Sequence, residues 1–154
     1  MSASPSNLKL AAAVFTSLLV AACGGASSPE ALGEETFARL KKNDFQGYFE
    51  GTVVTAKELV KTCPLVQSFV VDQAKFQKRF NECRGRLDFA NAKLVKAVAS
   101  GSVVSTLTCG GSNVAQALRV AVTVSTPTQI YTFFVDDDLE TSSGWKTTNE
   151  LKCP

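Results

Sequence analysis

The hydrophobic pattern of this chain changes its period once, at Arg84-Gly85-Arg86. Before that point apolar residues recur at helical spacing, as in the stripe formed by Phe69, Phe76, Phe80 and Cys83. After it, apolar and polar residues alternate, as they do on a strand with one buried face. A block of helices followed by a block of strands predicts an α+β domain. Its N-terminal helices should pack on a curved antiparallel sheet of four to five strands.

Helix start signals divide the first block into short segments. Side chains that can accept a hydrogen bond from a free backbone N–H, with proline and acidic residues in the first turn, favour a helix start. The predicted starts are Ser28 before Pro29, Asp44 before a short helix ended by Gly51, and Thr55 with Glu58 as a capping box; a further helix should end near Cys83.

Five strands are predicted in the second block. Glycine, serine, proline and asparagine punctuate the alternating segments and mark the turns between them. Within the third strand, Leu118, Val120, Val122 and Val124 are expected to share one face. The predicted strands lie near 92–99, 102–109, 117–125, 128–136 and 144–152.

The composition excludes several function classes. The chain has no histidine, which rules out Ser-His-Asp and Cys-His relays and histidine-ligated zinc. Its formal charge of +2 is too small for a nucleic-acid binder, which carries a concentrated excess of Lys and Arg. No cofactor is expected.

The N-terminus has the layout of a secretory signal peptide. Lys9 precedes a largely apolar run over 10–22, which is shorter than the ~20 residues needed to cross a bilayer as a helix. We therefore predict a signal peptide over 1–22, a flexible tether over 23–28 and a single α+β domain over 29–154.

The end of that run, Leu19-Val20-Ala21-Ala22-Cys23, resembles the lipobox of bacterial lipoproteins. The resemblance implies that Cys23 is lipidated and becomes the mature N-terminus, which anchors the chain in a membrane. Gly24, rather than an aspartate, follows Cys23, which by the enterobacterial pattern implies the outer membrane of the cell envelope. The alternative is an ordinary signal peptide cut near Ala22, with Cys23 left as a free thiol.

Besides Cys23, the chain has four cysteines, Cys63, Cys83, Cys109 and Cys153, an even number in an oxidising compartment, so two disulfides are expected. In a simple five-strand meander Cys109 and Cys153 lie at opposite ends of strands ~26 Å long, beyond disulfide reach. This arrangement favours Cys83 with Cys109 and Cys63 with Cys153. The alternative pairing joins Cys63 to Cys83 and Cys109 to Cys153.

The run from Leu40 to Phe49, followed by helices, hairpins and then Gly144-Trp145-Lys146, resembles the cystatin-like (NTF2-like) cone of many small bacterial lipoproteins. The resemblance implies a helix-lined pocket that faces a bent sheet and binds a ligand. Some members are isomerases or dehydratases that use His or Asp inside the cone. The histidine is absent here.

Candidate site residues follow from their chemistry. Tyr48, Asp44 and Tyr131 could line an interior cavity as donors and a base, although a helix cap and core edges account for them too. Phe133, Phe134 and Trp145 are candidates for pocket lining or a partner surface, and one of the adjacent phenylalanines must face away from the core. The acids over 136–140 are interpreted as a solvated hairpin end rather than a metal site.

The resulting hypothesis is a lipid-anchored envelope protein that acts as a non-catalytic binding module for a small apolar ligand or a protein partner. One alternative is a periplasmic inhibitor or immunity protein, since small disulfide-linked domains suit that role. The other is an isomerase or dehydratase with Asp44 or Asp88 as its base. An open cavity with a desolvated carboxylate would favour the enzyme.

Overall fold

The computed structural model describes residues 25–64, 66, 69–100, 107–109 and 112–154, and the side chains of all of these except 107–109 and 112. The predicted signal peptide and Cys23 lie outside this range. The described chain is α+β, as predicted. Its elements are α1 Pro29–Lys42, α2 Phe45–Thr52, α3 Ala56–Thr62, α4 Gln73–Arg86, β1 Lys93–Ser100, β2 Leu107–Cys109, β3 Ser112–Val114, β4 Gln116–Ser125, β5 Ile130–Thr141 and β6 Gly144–Thr147.

The three predicted helix caps are confirmed. The Ser28 hydroxyl accepts from the Ala31 N–H at 3.1 Å, and Pro29 is the first helical residue of α1. The Asp44 carboxylate accepts from the Gly47 N–H at 2.8 Å. Thr55 and Glu58 form the complete capping box of α3.

The main sheet has four antiparallel strands in the order β1-β4-β5-β6, and it is not closed. The prediction of a five-strand meander is wrong, because β1 pairs directly with β4. The strand predicted over 102–109 lies partly outside the described residues. Its described part, Leu107–Cys109, pairs with Ser112–Val114 in a separate hairpin.

The described disulfide joins Cys83 to Cys153, with a Cα–Cα distance of 5.3 Å. Both predicted pairings, Cys83 with Cys109 and Cys63 with Cys153, are therefore wrong, and so is the alternative one. The cause is the strand count. With four strands instead of five, the C-terminal segment runs back toward the end of the sheet where β1 begins, which is the end to which α4 leads.

The helices pack on one face of the sheet, where Val120, Val122 and Val124 are fully buried. Gly33 of α1 lies against that face, since a Cβ there would come within 2.9 Å of the Val120 and Val122 side chains. Aromatic rings fill the space between α2, α4 and the sheet. They are Phe45, Tyr48, Phe49, Phe76, Phe80, Phe89 and Phe133.

A second, smaller apolar cluster lies under α3. Leu59 and Cys63 meet Val114 of β3 and Leu139 of β5 there. Cys63 is disulfide-bonded as well.

Leu118 departs from its predicted face and is 47% exposed. The β4–β5 pairing omits Leu118 and Asp137, and Asp137 has φ 55, so the strand alternation is interrupted at that level.

Within the part of the chain that the structure describes, no helix has the length and apolar character needed to span a membrane.

Candidate functional site

An open apolar groove of about 440 Å³ lies between α2, α3 and the segment that precedes α4. Its volume falls within the range of roughly 300–1,000 Å³ that is typical of small-molecule sites, which are lined mainly by apolar side chains. Two short segments form its walls. They are Phe49 with Val53–Ala56, and Phe69–Val71 with Gln73.

Local sequence explains why the groove is apolar. Val53 and Val54 connect α2 to the Thr55 cap of α3, and their backbones join the sheet through Thr147, where the Val54 N–H donates to the Thr147 carbonyl at 2.9 Å. On the opposite wall Phe69 and Val71 are half-buried. Val70, between them, is 84% exposed, so it forms the rim of the groove.

A second feature is a pair of buried polar groups in the core. Tyr48 of α2 and Asp138 of β5 are both fully buried. Among the described residues, neither the Tyr48 hydroxyl nor the Asp138 carboxylate oxygens have a hydrogen-bond partner. Leaving such groups unpaired in a dry interior costs about 1–3 kcal/mol each, so this arrangement needs an explanation.

Burial shifts the pKa of both groups in the same direction. Burial raises the pKa of Asp138 to about 8, Asp136 and Asp137 add to the rise, and the nearby Thr147 hydroxyl opposes it. That hydroxyl donates to the main-chain oxygen of Asp136 instead. Burial, followed by the charge of Asp138, raises the pKa of Tyr48. At neutral pH the two groups are therefore mainly a carboxylic acid and a phenol, and both can donate hydrogen bonds.

The structure places the other predicted interior residues at the surface or at the edge of the core. Asp44 caps α2 and pairs with Arg39 at 2.6 Å; the Gly47 N–H, then Arg39, lower the pKa of its carboxylate. Asp88 is exposed, and a hydrogen bond from Asn91 lowers its pKa. The Tyr131 hydroxyl donates to the Pro154 carbonyl at 2.9 Å. Tyr48, Asp44 and Tyr131 do not line a common cavity among those described.

The adjacent phenylalanines face opposite sides of the sheet, as predicted. Phe133 is fully buried in the core, and Phe134 lies on the outer face with the Arg119 guanidinium 4.7 Å from its ring centroid. Phe134 and Arg119 line a second cavity of about 470 Å³, beside the Cys83–Cys153 disulfide. Trp145 is half-buried, and its backbone N–H donates to the Ala26 carbonyl at 2.8 Å.

The acids over 136–140 do not form a solvated hairpin end, because Asp136 and Asp138 are buried. Asp136 accepts a bidentate pair of hydrogen bonds from Arg119 at 2.7 and 2.9 Å, and it also forms an ion pair with Lys152. In the described portion of the chain, no group of three or more His, Cys, Asp or Glu side chains is placed to hold a metal ion.

Comparison with known proteins identifies no relative. No protein-family model, curated protein or solved structure matches the chain.

Sequence reasoning missed both the groove and Asp138. The groove depends on how the segment before α4 packs against α3, which no local pattern specifies. For Asp138 a signal exists: the strand continues from Phe133 through Thr141, so all four acids over 136–140 lie inside it and not at its end. An acid in the middle of a long strand has to be buried, paired or placed on the outer face.

Proposed function

We propose that this protein is a lipid-anchored lipoprotein of the bacterial cell envelope whose α+β domain is a non-catalytic binding module for a small apolar ligand. The lipobox-like sequence ending at Cys23 supports the anchor, and Gly24 after it favours the outer membrane. The apolar groove, with Phe49, Val53 and Val54 on one wall and Phe69–Val71 on the other, supports the ligand class.

The order of helices and strands and the helix-covered sheet are compatible with a cystatin-like (NTF2-like) cone, which we propose as the fold family. We also propose a second disulfide. Because Cys83 is joined to Cys153, and Cys23 is assigned to the anchor, Cys63 and Cys109 remain as partners.

An apolar fluorescent probe tests the ligand proposal. A chain that begins at Gly24 keeps every described contact, since these start at Gly25. It should bind N-phenyl-1-naphthylamine, and long-chain fatty acids should displace the probe. Val70→Glu puts a charge on the rim of the groove and should weaken binding by about tenfold, the equivalent of ~1.4 kcal/mol.

Ile130→Glu is the matched control, because Ile130 is 75% exposed and does not line the groove. Its affinity for the probe should equal that of the unmodified chain. If both variants, or neither, lose affinity, the groove is not the binding site.

One observation favours a second candidate, an isomerase-type enzyme. A phenol and a neutral carboxylic acid can together stabilise a developing oxyanion, and Tyr48 and Asp138 are buried, unpaired groups of those two kinds, unlike the surface carboxylates Asp44 and Asp88. Neither residue lines a described cavity, so access would require an opening of the core. Binding of 2-naphthol as its anion, lost in Tyr48→Phe and in Asp138→Asn, would support this candidate. Unchanged or increased stability of both variants without such binding would count against it.

A further inference from the structure

The chain enters the domain beside the turn between β5 and β6. The Gly25 N–H donates to the Ser143 carbonyl, and Ala26 is buried and pairs with Trp145. Only Gly24 separates Cys23 from Gly25. At ~3.5 Å per extended residue, a lipid attached to Cys23 would begin within about 10 Å of Ser143.

The same turn is linked to α3. The Ser143 hydroxyl donates to the Glu58 carboxylate at 2.6 Å, and the Lys146 ammonium lies 3.5 Å from the same oxygen. Glu58 is the one acidic residue of α3. Its negative charge is therefore paired within the domain, on the side of the helix that faces the turn.

The rest of the surface of α3 is apolar and cationic. Ala56, Lys57, Val60 and Lys61 are exposed, and Val60 is 44% exposed. Val70 adjoins this surface, since it lines the same groove as Ala56. We name these five residues the α3 face. Exposed valines flanked by lysines suit the boundary between lipid headgroups and acyl chains, where cations meet anionic lipid.

We propose that the α3 face rests on the bilayer that carries the Cys23 lipid. The inference depends on the lipid anchor proposed above. The anchor brings the β5–β6 turn to the membrane, the Ser143–Glu58 hydrogen bond fixes α3 beside that turn, and the lysines supply the charge that anionic headgroups attract. Both the position of the anchor and the charge of the α3 face thus favour the bilayer as its binding partner.

This orientation also gives the apolar groove a source of ligand. Val70 and Ala56 lie at its mouth, so a groove resting on the bilayer opens onto lipid. A single acyl chain could then move from the membrane into the groove without crossing water. The ligand class that fits is a lipid or a fatty acid of the same membrane.

Photocrosslinking tests the orientation on the full, acylated chain. Three separate variants, Val60→p-benzoylphenylalanine, Val70→p-benzoylphenylalanine and Ile130→p-benzoylphenylalanine, are reconstituted in vesicles of phosphatidylethanolamine and phosphatidylglycerol. Ile130 is the control because it is exposed at the other end of β5, eleven residues or ~36 Å from Thr141. Lipid adducts are then counted by mass spectrometry.

The expected result is several-fold more lipid adduct at positions 60 and 70 than at 130. Equal adduct yields at all three positions, in chains that carry palmitate and float with the vesicles, would overturn the orientation and leave the anchor standing. Loss of both palmitate and flotation in every variant would refute the anchor and the orientation with it.

A charge variant gives a second test. Lys57→Gln with Lys61→Gln should lower the adduct yield at position 60 on phosphatidylglycerol vesicles. Lys75→Gln with Lys78→Gln, a matched change at two exposed lysines of α4, should leave it unchanged. The same decrease in both pairs, or in neither, would contradict a specific contact of the α3 face with anionic lipid.

Discussion

Gly25 and Gly144 approach each other so closely that Gly144 has no room for a side chain. A Cβ on Gly144 would lie 2.5 Å from the Gly25 carbonyl carbon and 2.7 Å from the Ala26 oxygen. Gly144 also has φ 101, a conformation that side chains disfavour. These two glycines hold the N-terminal segment against the β5–β6 turn and so fix the point where the chain enters the domain.

Gly144→Ala should destabilise the domain by roughly 2–4 kcal/mol, since it combines backbone strain with a clash. Gly85→Ala is the matched control. Gly85 lies in α4, where an added methyl group would meet nothing within 4 Å, and alanine there should stabilise by about 0.5–1 kcal/mol. Urea unfolding of both variants measures the difference. Equal stabilities would show that the N-terminal segment does not depend on this contact.

Asp138 should make the domain less stable as the pH rises. Its folded pKa of about 8 lies above the ordinary aspartate value of 3.8, so the folded state keeps a proton that the unfolded state releases. The contribution is fully present below about pH 4 and is lost as the pH rises through 8, a change on the order of 6 kcal/mol. Asp138→Asn cannot ionise and should remove that part of the pH dependence.

The check is urea unfolding at pH 5 and pH 8.5, with the disulfides intact. Glu34→Gln, a change at an exposed carboxylate of α1, serves as the control and should keep the slope of the unmodified chain. A slope in Asp138→Asn as steep as that of the unmodified chain would show that Asp138 is ionised in the folded state.

Glu58 should have the opposite effect at acid pH. Burial opposes its ionisation, but hydrogen bonds from Ser143 and Thr55, with the charge of Lys146, lower its pKa to about 2. Its stabilisation is present above about pH 4.5 and is lost as the pH falls through 2. Glu58→Gln should cost about 1–2 kcal/mol at pH 7 and little at pH 2. Glu82→Gln, which affects an exposed pair with Arg79, should cost less than half as much at pH 7.

The Cys83–Cys153 disulfide closes a long loop, since its partners are separated by 70 positions in sequence. Replacing both cysteines, Cys83→Ser with Cys153→Ser, should lower the free energy of unfolding by about 4 kcal/mol on the loop-entropy account. Trypsin cleaves between each of the four cysteines that follow Cys23, so non-reducing peptide mapping should find one peptide with Cys83 and Cys153 and another with Cys63 and Cys109. A peptide joining Cys63 to Cys83 would contradict the observed fold.

The sequence predicted those features that depend on neighbouring residues. Ser28, Asp44 and Thr55 cap their helices because a cap needs only a side chain and the next three residues. The opposite faces of Phe133 and Phe134 follow in the same way from the period of a strand.

Features that depend on distant pairing were not predictable. Whether β1 pairs with the next segment or with β4 decides at which end of the sheet Cys153 lies. The alternation of apolar and polar residues is the same in both cases. The burial of Asp138 depends on how the sheet packs against the rest of the fold, and the groove depends on the packing of Phe69 against the cluster under α3. Each of these needs a tertiary contact that the local pattern does not contain.

The proposed lipid anchor leads to the last prediction. If Cys23 is acylated, Cys23→Ser should abolish palmitate labelling in cells and leave a precursor that retains residues 1–22. The reason is that the Cys23 sulfur is the atom to which the diacylglyceryl group is attached. Cys63→Ser is the control that separates this role from a general effect of losing a thiol, since Cys63 is disulfide-bonded. It should keep the label and the processed size on gels. Palmitate incorporation that persists in Cys23→Ser would place the lipid elsewhere, and with it the membrane contact proposed for the α3 face.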